Sequence, residues 1–170
     1  MRVGLLLAVM GCALQAQTAT TNNRWAPVSF LIGEWTGEGG GGPGQGSGGF
    51  SFLPDQGGTI LVRKNRADYP ASKDQPAFSH TDLMILYHEG SKLEAIYFDV
   101  EDHVIHYNVE PASDGNSVRF LSEQYRLTYT KTGTDSLAIK FEVPVPGKPG
   151  QFQTYINASA KRIKTSAASH

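Results

Sequence analysis

Short runs of apolar and β-branched residues recur along most of the chain, and turn residues separate them. Within most runs, apolar and polar side chains alternate, which is typical of β-strands that bury one face. After a first strand that begins at Trp35, the pattern predicts strands over 50–53, 59–64, 81–87, 92–98, 103–109, 117–122, 125–131, 136–143 and 151–163. We therefore predict an all-β fold, an antiparallel up-and-down β-barrel of about ten strands.

The strand predicted over 92–98 departs from simple alternation. One face carries Leu93, Ala95 and Tyr97, and the other carries Glu94, Ile96 and Phe98. Large apolar groups on both faces indicate either a strand that is buried on both sides or one that faces a lumen on one side.

The segment before the first strand supplies the helix candidate of the domain. Residues 25–32 are apolar enough for a short N-terminal helical turn, placed where it plugs one end of a barrel. The strand that follows contains Gly33, Trp35, Gly37 and Gly39, to which we assign structural roles. Glycine lets the backbone bend and approach closely, and tryptophan supplies one large buried anchor.

The beginning of the chain has the layout of a secretory signal, with Arg2, a short apolar run and small residues before Ala16. The apolar run is too short to span a bilayer. We expect residues 1–17 to be a signal peptide, 18–24 a polar linker, 25–164 the barrel and 165–170 a frayed tail. The protein is then exported, either periplasmic or extracellular.

Composition narrows the classes of partner. The net charge of −1 and the pI near 6.5 give no electrostatic case for nucleic acid, an anionic membrane surface or acidic substrates. The single cysteine, Cys12, lies in the predicted signal, so the mature domain has no disulfide and depends on its core. Residues 9–12 also look like a lipoprotein box, which leaves a lipid anchor on Cys12 as an alternative.

Two motifs that suggest other chemistry do not fit their surroundings. Residues 37–42 match the Gly-x-Gly-x-x-Gly dinucleotide pattern, but Pro43 and further glycines follow instead of a helix that presents amides to phosphate. His103 and His106 lie three apart on a predicted strand, so their imidazoles point to opposite faces and do not hold one metal ion. The chain also lacks hydrolase and metalloprotease signatures. We predict no metal site.

Residues 26–39 (APVSFLIGEWTGEG) and 155–162 (YINASAKR) carry a family resemblance. The first segment resembles the opening of the nitrobindin family, haem-binding barrels related to fatty-acid-binding proteins and lipocalins. That family begins with a proline, an apolar turn and Gly-x-Trp-x-Gly-x-Gly. The second segment is similar to the family's closing strand. The middle of the chain matches only in strand rhythm, so the resemblance implies the fold more than the chemistry.

The resemblance implies roles for three residues. The family holds its haem iron with a histidine of the closing strand, and Tyr155 stands at the matching position, where tyrosine would be the axial ligand. We expect that the protein binds no cofactor. The alternative that the resemblance implies is a haem-binding protein with nitric oxide or peroxynitrite chemistry, in which Tyr155 is the axial ligand. Lipocalin-like barrels also stack their tryptophan against a basic residue of the last strand, and Trp35 with Arg162 looks similar.

Two faces of the last predicted strand compete for the lumen. Alternation places Phe152, Thr154, Ile156, Ala158 and Ala160 on one face and Gln153, Tyr155, Asn157 and Ser159 on the other. Burial of the apolar face points the first set inward, whereas the resemblance places Tyr155 inside. The sequence leaves this choice open.

We predict that the barrel binds a small, largely apolar molecule in its lumen without transforming it. The candidate ligand-binding residues are Tyr97, Phe98, His106, Tyr107, Arg126, Tyr129 and Tyr155. Arg126 either faces inward and pairs with a ligand carboxylate, or lies on the solvent face. The loops 39–49 and 66–79 border the entrance. A small lumenal acid–base enzyme, a barrel with a filled core and a homodimer stay open as alternatives.

Overall fold

The computed structural model describes residues 24–38, 46–73 and 75–164. This part of the chain forms ten strands and two short 3₁₀ turns. In order they are the turn Ala26–Leu31, β1 Gly33–Glu38, β2 Ser47–Asp55, the turn Gln56–Gly58, β3 Ile60–Tyr69, β4 Phe78–Glu89, β5 Lys92–Asp99, β6 Val104–Pro111, β7 Ser117–Leu121, β8 Arg126–Gly133, β9 Ser136–Pro144 and β10 Phe152–Arg162.

The strands form one closed antiparallel barrel, in which each strand pairs with its neighbours in sequence and β1 pairs with β10. The prediction of an all-β, ten-stranded up-and-down barrel with a short N-terminal turn is therefore confirmed. An architecture of this kind is consistent with a calycin-like fold. No helix in the described part of the chain combines the length and apolar character needed to cross a membrane.

The two ends of the barrel differ. Because successive strands are antiparallel, the β2–β3, β4–β5, β6–β7 and β8–β9 connections meet at one end, which we call the sealed end. The β3–β4, β5–β6, β7–β8 and β9–β10 connections meet at the opposite end, which we call the mouth. The turn Ala26–Leu31 lies across the sealed end, since the indole Nε1 of Trp25 donates to the carbonyl of Gly58 at 2.9 Å.

Trp35 and Arg162 close the sealed end from inside. The guanidinium carbon of Arg162 lies 4.2 Å from the centre of the Trp35 ring, so the predicted cation–π contact is present. The same guanidinium donates to the carbonyls of Phe30 and Ile32, and the indole of Trp35 donates to that of Leu31 at 2.8 Å. These bonds fasten the last strand to the first turn, and Val28 and Leu31 are fully buried beneath them.

Gly33 leaves room for this arrangement. Its φ of +131° lies in a region that favours glycine, and a Cβ at this position would collide with the guanidinium of Arg162. Gly37 lies in the same strand, and Gly39 lies outside the described residues. Gly33, Trp35 and Arg162 therefore meet at the sealed end of the barrel.

Strand β5 settles the alternatives raised by its two apolar faces. Leu93 and Ala95 are buried in the barrel interior, while on the outer face Ile96 is half-buried and Phe98 is 38 % exposed. The strand is thus buried on its inner side only, and its outer face is an apolar surface of the barrel.

Both predicted entrance loops are shorter than expected at their described ends. Strand β3 continues to Tyr69 and β4 begins at Phe78, so the connection spans 70–77 rather than 66–79. Strand β2 begins at Ser47, which places Gly48 and Gly49 in the sheet. Glycine is required at Gly49, because a Cβ there would run into the carbonyl of Trp35 on β1. The remainder of the loop, residues 39–45, lies outside the described residues.

Candidate functional site

A group of polar side chains faces the interior on three neighbouring strands. The antiparallel register aligns Asn65 of β3 with Asp82 of β4 and Asp99 of β5, all on the inward face. We call the group the polar wall. It consists of Arg63, Asn65, His80, Asp82, Tyr97 and Asp99. Polar groups on the inward face of a barrel strand displace apolar core residues, so they mark the part of the interior that is suited to chemistry or recognition.

An ion pair lies at the inner end of the polar wall. The guanidinium Nη1 of Arg63 binds a carboxylate oxygen of Asp82, and the amide Nδ2 of Asn65 donates to the other oxygen at 2.8 Å. Arg63 is 8 % exposed, and the side chain of Asp82 is 4 % exposed. Burial acts to raise the pKa of Asp82, but Arg63 and the neighbouring donors outweigh it and hold that pKa below its ordinary value.

Two buried atoms beside this ion pair have no hydrogen-bond partner in the described structure. They are Nε of Arg63 and the hydroxyl oxygen of Tyr129. The ring of Tyr129 packs against Phe50, Phe52 and Phe120, with centroid distances of 5.5 to 6.0 Å. Burial raises the pKa of Tyr129, so its phenol keeps its proton and remains a hydrogen-bond donor.

The outer end of the polar wall is a linked set of side chains at the mouth. Nε2 of His80 lies 3.3 Å from the hydroxyl of Tyr97 and 3.5 Å from a carboxylate oxygen of Asp82. Its Nδ1 lies 3.6 Å from Glu101. The polar contact with Asp82 raises the pKa of His80 above its ordinary value, against the opposing effect of burial. Protonated His80 thus bridges β4 to the β5–β6 turn.

The raised pKa of His80 predicts a pH dependence of stability. Because folded His80 holds its proton more tightly than the unfolded chain does, its stabilisation is complete below its ordinary pKa of 6.5 and is lost as the pH rises through the higher folded-state value. We expect the free energy of unfolding, measured by urea denaturation, to fall as the pH rises above about 6.5. His80→Gln should remove that part of the slope.

His106→Gln is the matched control for this measurement. His106 is exposed on the outer face of β6, so its replacement should leave the slope intact. A slope in His80→Gln equal to that of the wild type would contradict the assignment.

The β5–β6 turn is organised around Asp99. Its carboxylate accepts hydrogen bonds from the backbone N–H groups of Glu101 at 2.9 Å and His103 at 3.0 Å. Nδ1 of His103 lies 2.9 Å from the same carboxylate, and the hydroxyl of Tyr97 donates to it at 3.3 Å. Asp99, Glu101 and His103 come close together, but the bonds of Asp99 are those of a turn, and we assign no ion to it.

His103 and His106 are arranged differently from the sequence prediction. Strand β6 begins at Val104, so His103 belongs to the turn rather than to the strand. His106 pairs with Ile96 on the outer face of the sheet.

The opposite side of the mouth is apolar and aromatic. We call it the apolar wall and define it as Tyr125, Leu127, Phe141, Tyr155 and Ile156. Leu127, Phe141 and Ile156 are aligned across β8, β9 and β10. The ring of Phe141 stacks on Tyr125 at 5.6 Å and meets the edge of Tyr155 at 6.4 Å. The interior near the mouth therefore has one polar and one apolar side.

A β-bulge resolves the two faces of the last strand. The pairing of β10 with β9 shifts between Thr154 and Ile156, which leaves Tyr155 as the extra residue. Ile156, Ala158 and Ala160 align with inward residues of β9, and Ala160 is buried. Tyr155 lies at the rim of the mouth with 59 % of its surface exposed.

The candidate ligand-binding residues fall into three groups. Tyr97, Tyr107 and Tyr129 face the interior, whereas Phe98, His106 and Arg126 lie on the outer face. Tyr155 lies at the rim. Arg126 stacks on the ring of Phe152 at 3.7 Å, which corresponds to the solvent-face alternative. A ligand-binding role for any of these residues stays a prediction.

Sequence analysis did not identify Arg63 and Asp82. Arg63 lies two residues after the buried Leu61, and Asp82 lies two residues before the buried Met84. Each charged residue therefore shares the inward face of its strand with an apolar core residue. The available signal was a pair of opposite charges on the inward positions of consecutive strands, because such charges must pair when they are buried.

The residues around Tyr155 do not fit a haem ligand. A phenolate that binds haem iron is stabilised when a cationic side chain lies beside it. Within the described residues, Tyr155 contacts the ring of Phe141 and has no ionic or hydrogen-bond partner. We therefore derive no chemistry through haem, and haem binding stays an untested implication of the resemblance.

Comparisons with known proteins add no assignment. The chain matches no protein-family model, and no curated protein is significantly similar to it.

Proposed function

We propose that the protein binds a small, largely apolar molecule in the mouth half of the barrel and does not transform it. The observation that carries the proposal is the asymmetry of the barrel interior. The sealed end is closed by the first turn, Trp35 and Arg162, while an apolar wall and a polar wall face each other near the mouth. A concave site with apolar sides and a few fixed polar groups is the usual form of a small-molecule site.

The apolar wall supports the apolar character of the ligand. Phe141 lies between Tyr125 and Tyr155, and all three rings keep part of their surface accessible. Aromatic surface that is still partly in contact with water gains free energy when a ligand covers it.

Export belongs to the same proposal. The predicted signal peptide, residues 1–17, and the alternative lipid anchor at Cys12 lie outside the described residues. An exported binding protein would collect or carry an apolar molecule outside the cytoplasm. N-terminal sequencing of the protein recovered from its native compartment tests this part.

The binding proposal predicts a saturable fluorescence change with 1-aminoanthracene, a neutral apolar probe. Purified residues 18–170 should enhance its emission with a 1:1 end point. Phe141→Arg should weaken binding of the probe at least about tenfold, because it places a charge in the apolar wall. Native mass spectrometry of the untreated protein would show whether an apolar molecule co-purifies.

Phe98→Arg is the matched control, since Phe98 is an exposed aromatic residue on the outer face of the barrel. Its probe affinity should equal that of the wild type. Absence of saturable binding, or equal loss in both variants, would refute a site at the mouth.

A further inference from the structure

The interior contains two hydrogen-bonding groups that the rest of the protein does not use. In the described structure, Nε of Arg63 and the hydroxyl oxygen of Tyr129 are shielded from solvent and lack a hydrogen-bond partner. Arg63 acts on the pKa of Tyr129 through its charge and through a polar contact between the two side chains. The guanidinium and the phenol are therefore neighbours, although neither Nε nor the hydroxyl reaches hydrogen-bond geometry with a partner. Buried polar groups in native proteins are satisfied by protein, water or ligand, so this pair marks a position for an acceptor.

Both groups are held in place by their surroundings. The guanidinium of Arg63 is fixed through Nη1 by Asp82 and lies over the ring of Phe50 at 5.5 Å. The phenol of Tyr129 is fixed by the rings of Phe50, Phe52 and Phe120. Fixed donors bind an acceptor without a further loss of side-chain freedom.

We propose that Nε–H of Arg63 and O–H of Tyr129 bind an uncharged acceptor on the ligand, the carbonyl oxygen of a ketone, ester or amide. This inference rests on the proposed function, because it defines the polar group of a ligand whose body lies on the apolar wall. The ligand class is therefore a small apolar carbonyl compound.

The charge balance of the interior favours an uncharged acceptor over a carboxylate. The positive charge of Arg63 is already paired with Asp82, and that of protonated His80 lies against Asp82 and Glu101. Neither cation of the polar wall is therefore left to pair with a ligand carboxylate. A ligand carboxylate would add a further negative charge to this interior and would lose its own hydration. A carbonyl oxygen takes the two free donors and adds no charge.

A displacement assay with 1-aminoanthracene distinguishes a carbonyl acceptor from a carboxylate and from a ligand without a polar group. It uses three naphthalene derivatives of similar size at about pH 7.5, where carboxylic acids are ionised. They are 2-acetylnaphthalene, 2-ethylnaphthalene and 2-naphthoate, which differ in carrying a ketone, no polar group or a carboxylate. We expect the ketone to compete at about tenfold lower concentration than the hydrocarbon, and 2-naphthoate to be weaker than the ketone.

Tyr129→Phe removes only the hydroxyl and keeps the packed ring, so its thermal midpoint should be unchanged or higher. The preference for ketone over hydrocarbon should fall about threefold in this variant. Arg63→Lys keeps a positive charge beside Asp82 but lacks Nε–H, and it should reduce the same preference. Tyr87→Phe is the control, because the hydroxyl of Tyr87 bonds Glu94 on the outer face at 3.1 Å.

The outcomes distinguish the two proposals. Equal competition by ketone and hydrocarbon, strongest competition by 2-naphthoate, or a ketone preference that neither interior variant changes would overturn the carbonyl site while the mouth still binds the probe. No binding of the probe or of any derivative would overturn both.

Discussion

An Asp82→Asn variant is expected to unfold with a free energy about 3–5 kcal/mol below that of the wild type. Asp82 neutralises Arg63 inside the barrel, and the asparagine would leave a buried guanidinium without its counter-charge. Arg63 cannot escape by losing its proton, because the guanidinium remains charged across the accessible pH range. Urea denaturation followed by tryptophan fluorescence measures the difference.

The neighbouring ion pair offers a matched control. Asp68 pairs with Arg66, five and three residues after Arg63 in β3, but both side chains are largely exposed. Asp68→Asn should therefore leave stability almost unchanged. The double variant Arg63→Met with Asp82→Leu should recover most of the lost stability, since apolar residues of similar volume often replace a buried pair without loss. A urea midpoint of Asp82→Asn equal to that of Asp68→Asn would show that the buried pair contributes no more to stability than the exposed pair does.

Trp35→Ala is expected to lower the free energy of unfolding by about 3–5 kcal/mol. Trp35 is 1 % exposed, donates to the carbonyl of Leu31 and supports Arg162 through its ring. The alanine would leave a cavity at the sealed end and release the guanidinium from its aromatic partner. Thermal unfolding followed by far-ultraviolet circular dichroism measures the loss.

Phe98→Ala removes an aromatic ring from the outer face of β5 and serves as the comparison. The Phe98 side chain is 38 % exposed, and we expect a loss of about 1 kcal/mol or less. Similar losses in the two variants would mean that the seal around Trp35 contributes no more than ordinary surface packing.

The fold was accessible from the sequence because it depends on local patterns. Period-two alternation and short turns between the strands predict a meander, and the Gly-x-Trp motif predicts how it closes. The Trp35–Arg162 contact was predicted through the family resemblance. The end of β3 and the start of β2 were not predicted, because Asp68, Gly48 and Gly49 belong to residue types that are depleted in strands and are held in the sheet by their partners across it.

The candidate site was less accessible, because it depends on which positions of different strands become neighbours. Arg63, Asp82 and Tyr129 are far apart in the chain, and only the barrel register brings them to one interior. The bulge at Tyr155 shifts the alternation of β10 by one residue, which no period-two pattern predicts. Both Tyr97 and Phe98 were predicted to line the lumen because they are aromatic. They are consecutive in β5, so their side chains lie on opposite faces of the strand, and Phe98 lies on the outer one.

The pairing of β1 with β10 also governs how the chain reaches its native state. Arg162 bonds Phe30 and Ile32 across about 130 residues of sequence, so the ring of strands closes only when nearly the whole chain is present. Contacts of such long range slow folding. Until closure, the edges of β1 and β10 are unpaired templates for another strand, and in a chain without β10 the free edges are those of β1 and β9. A chain that ends before β10 is therefore expected to aggregate through these edges rather than to form a smaller barrel.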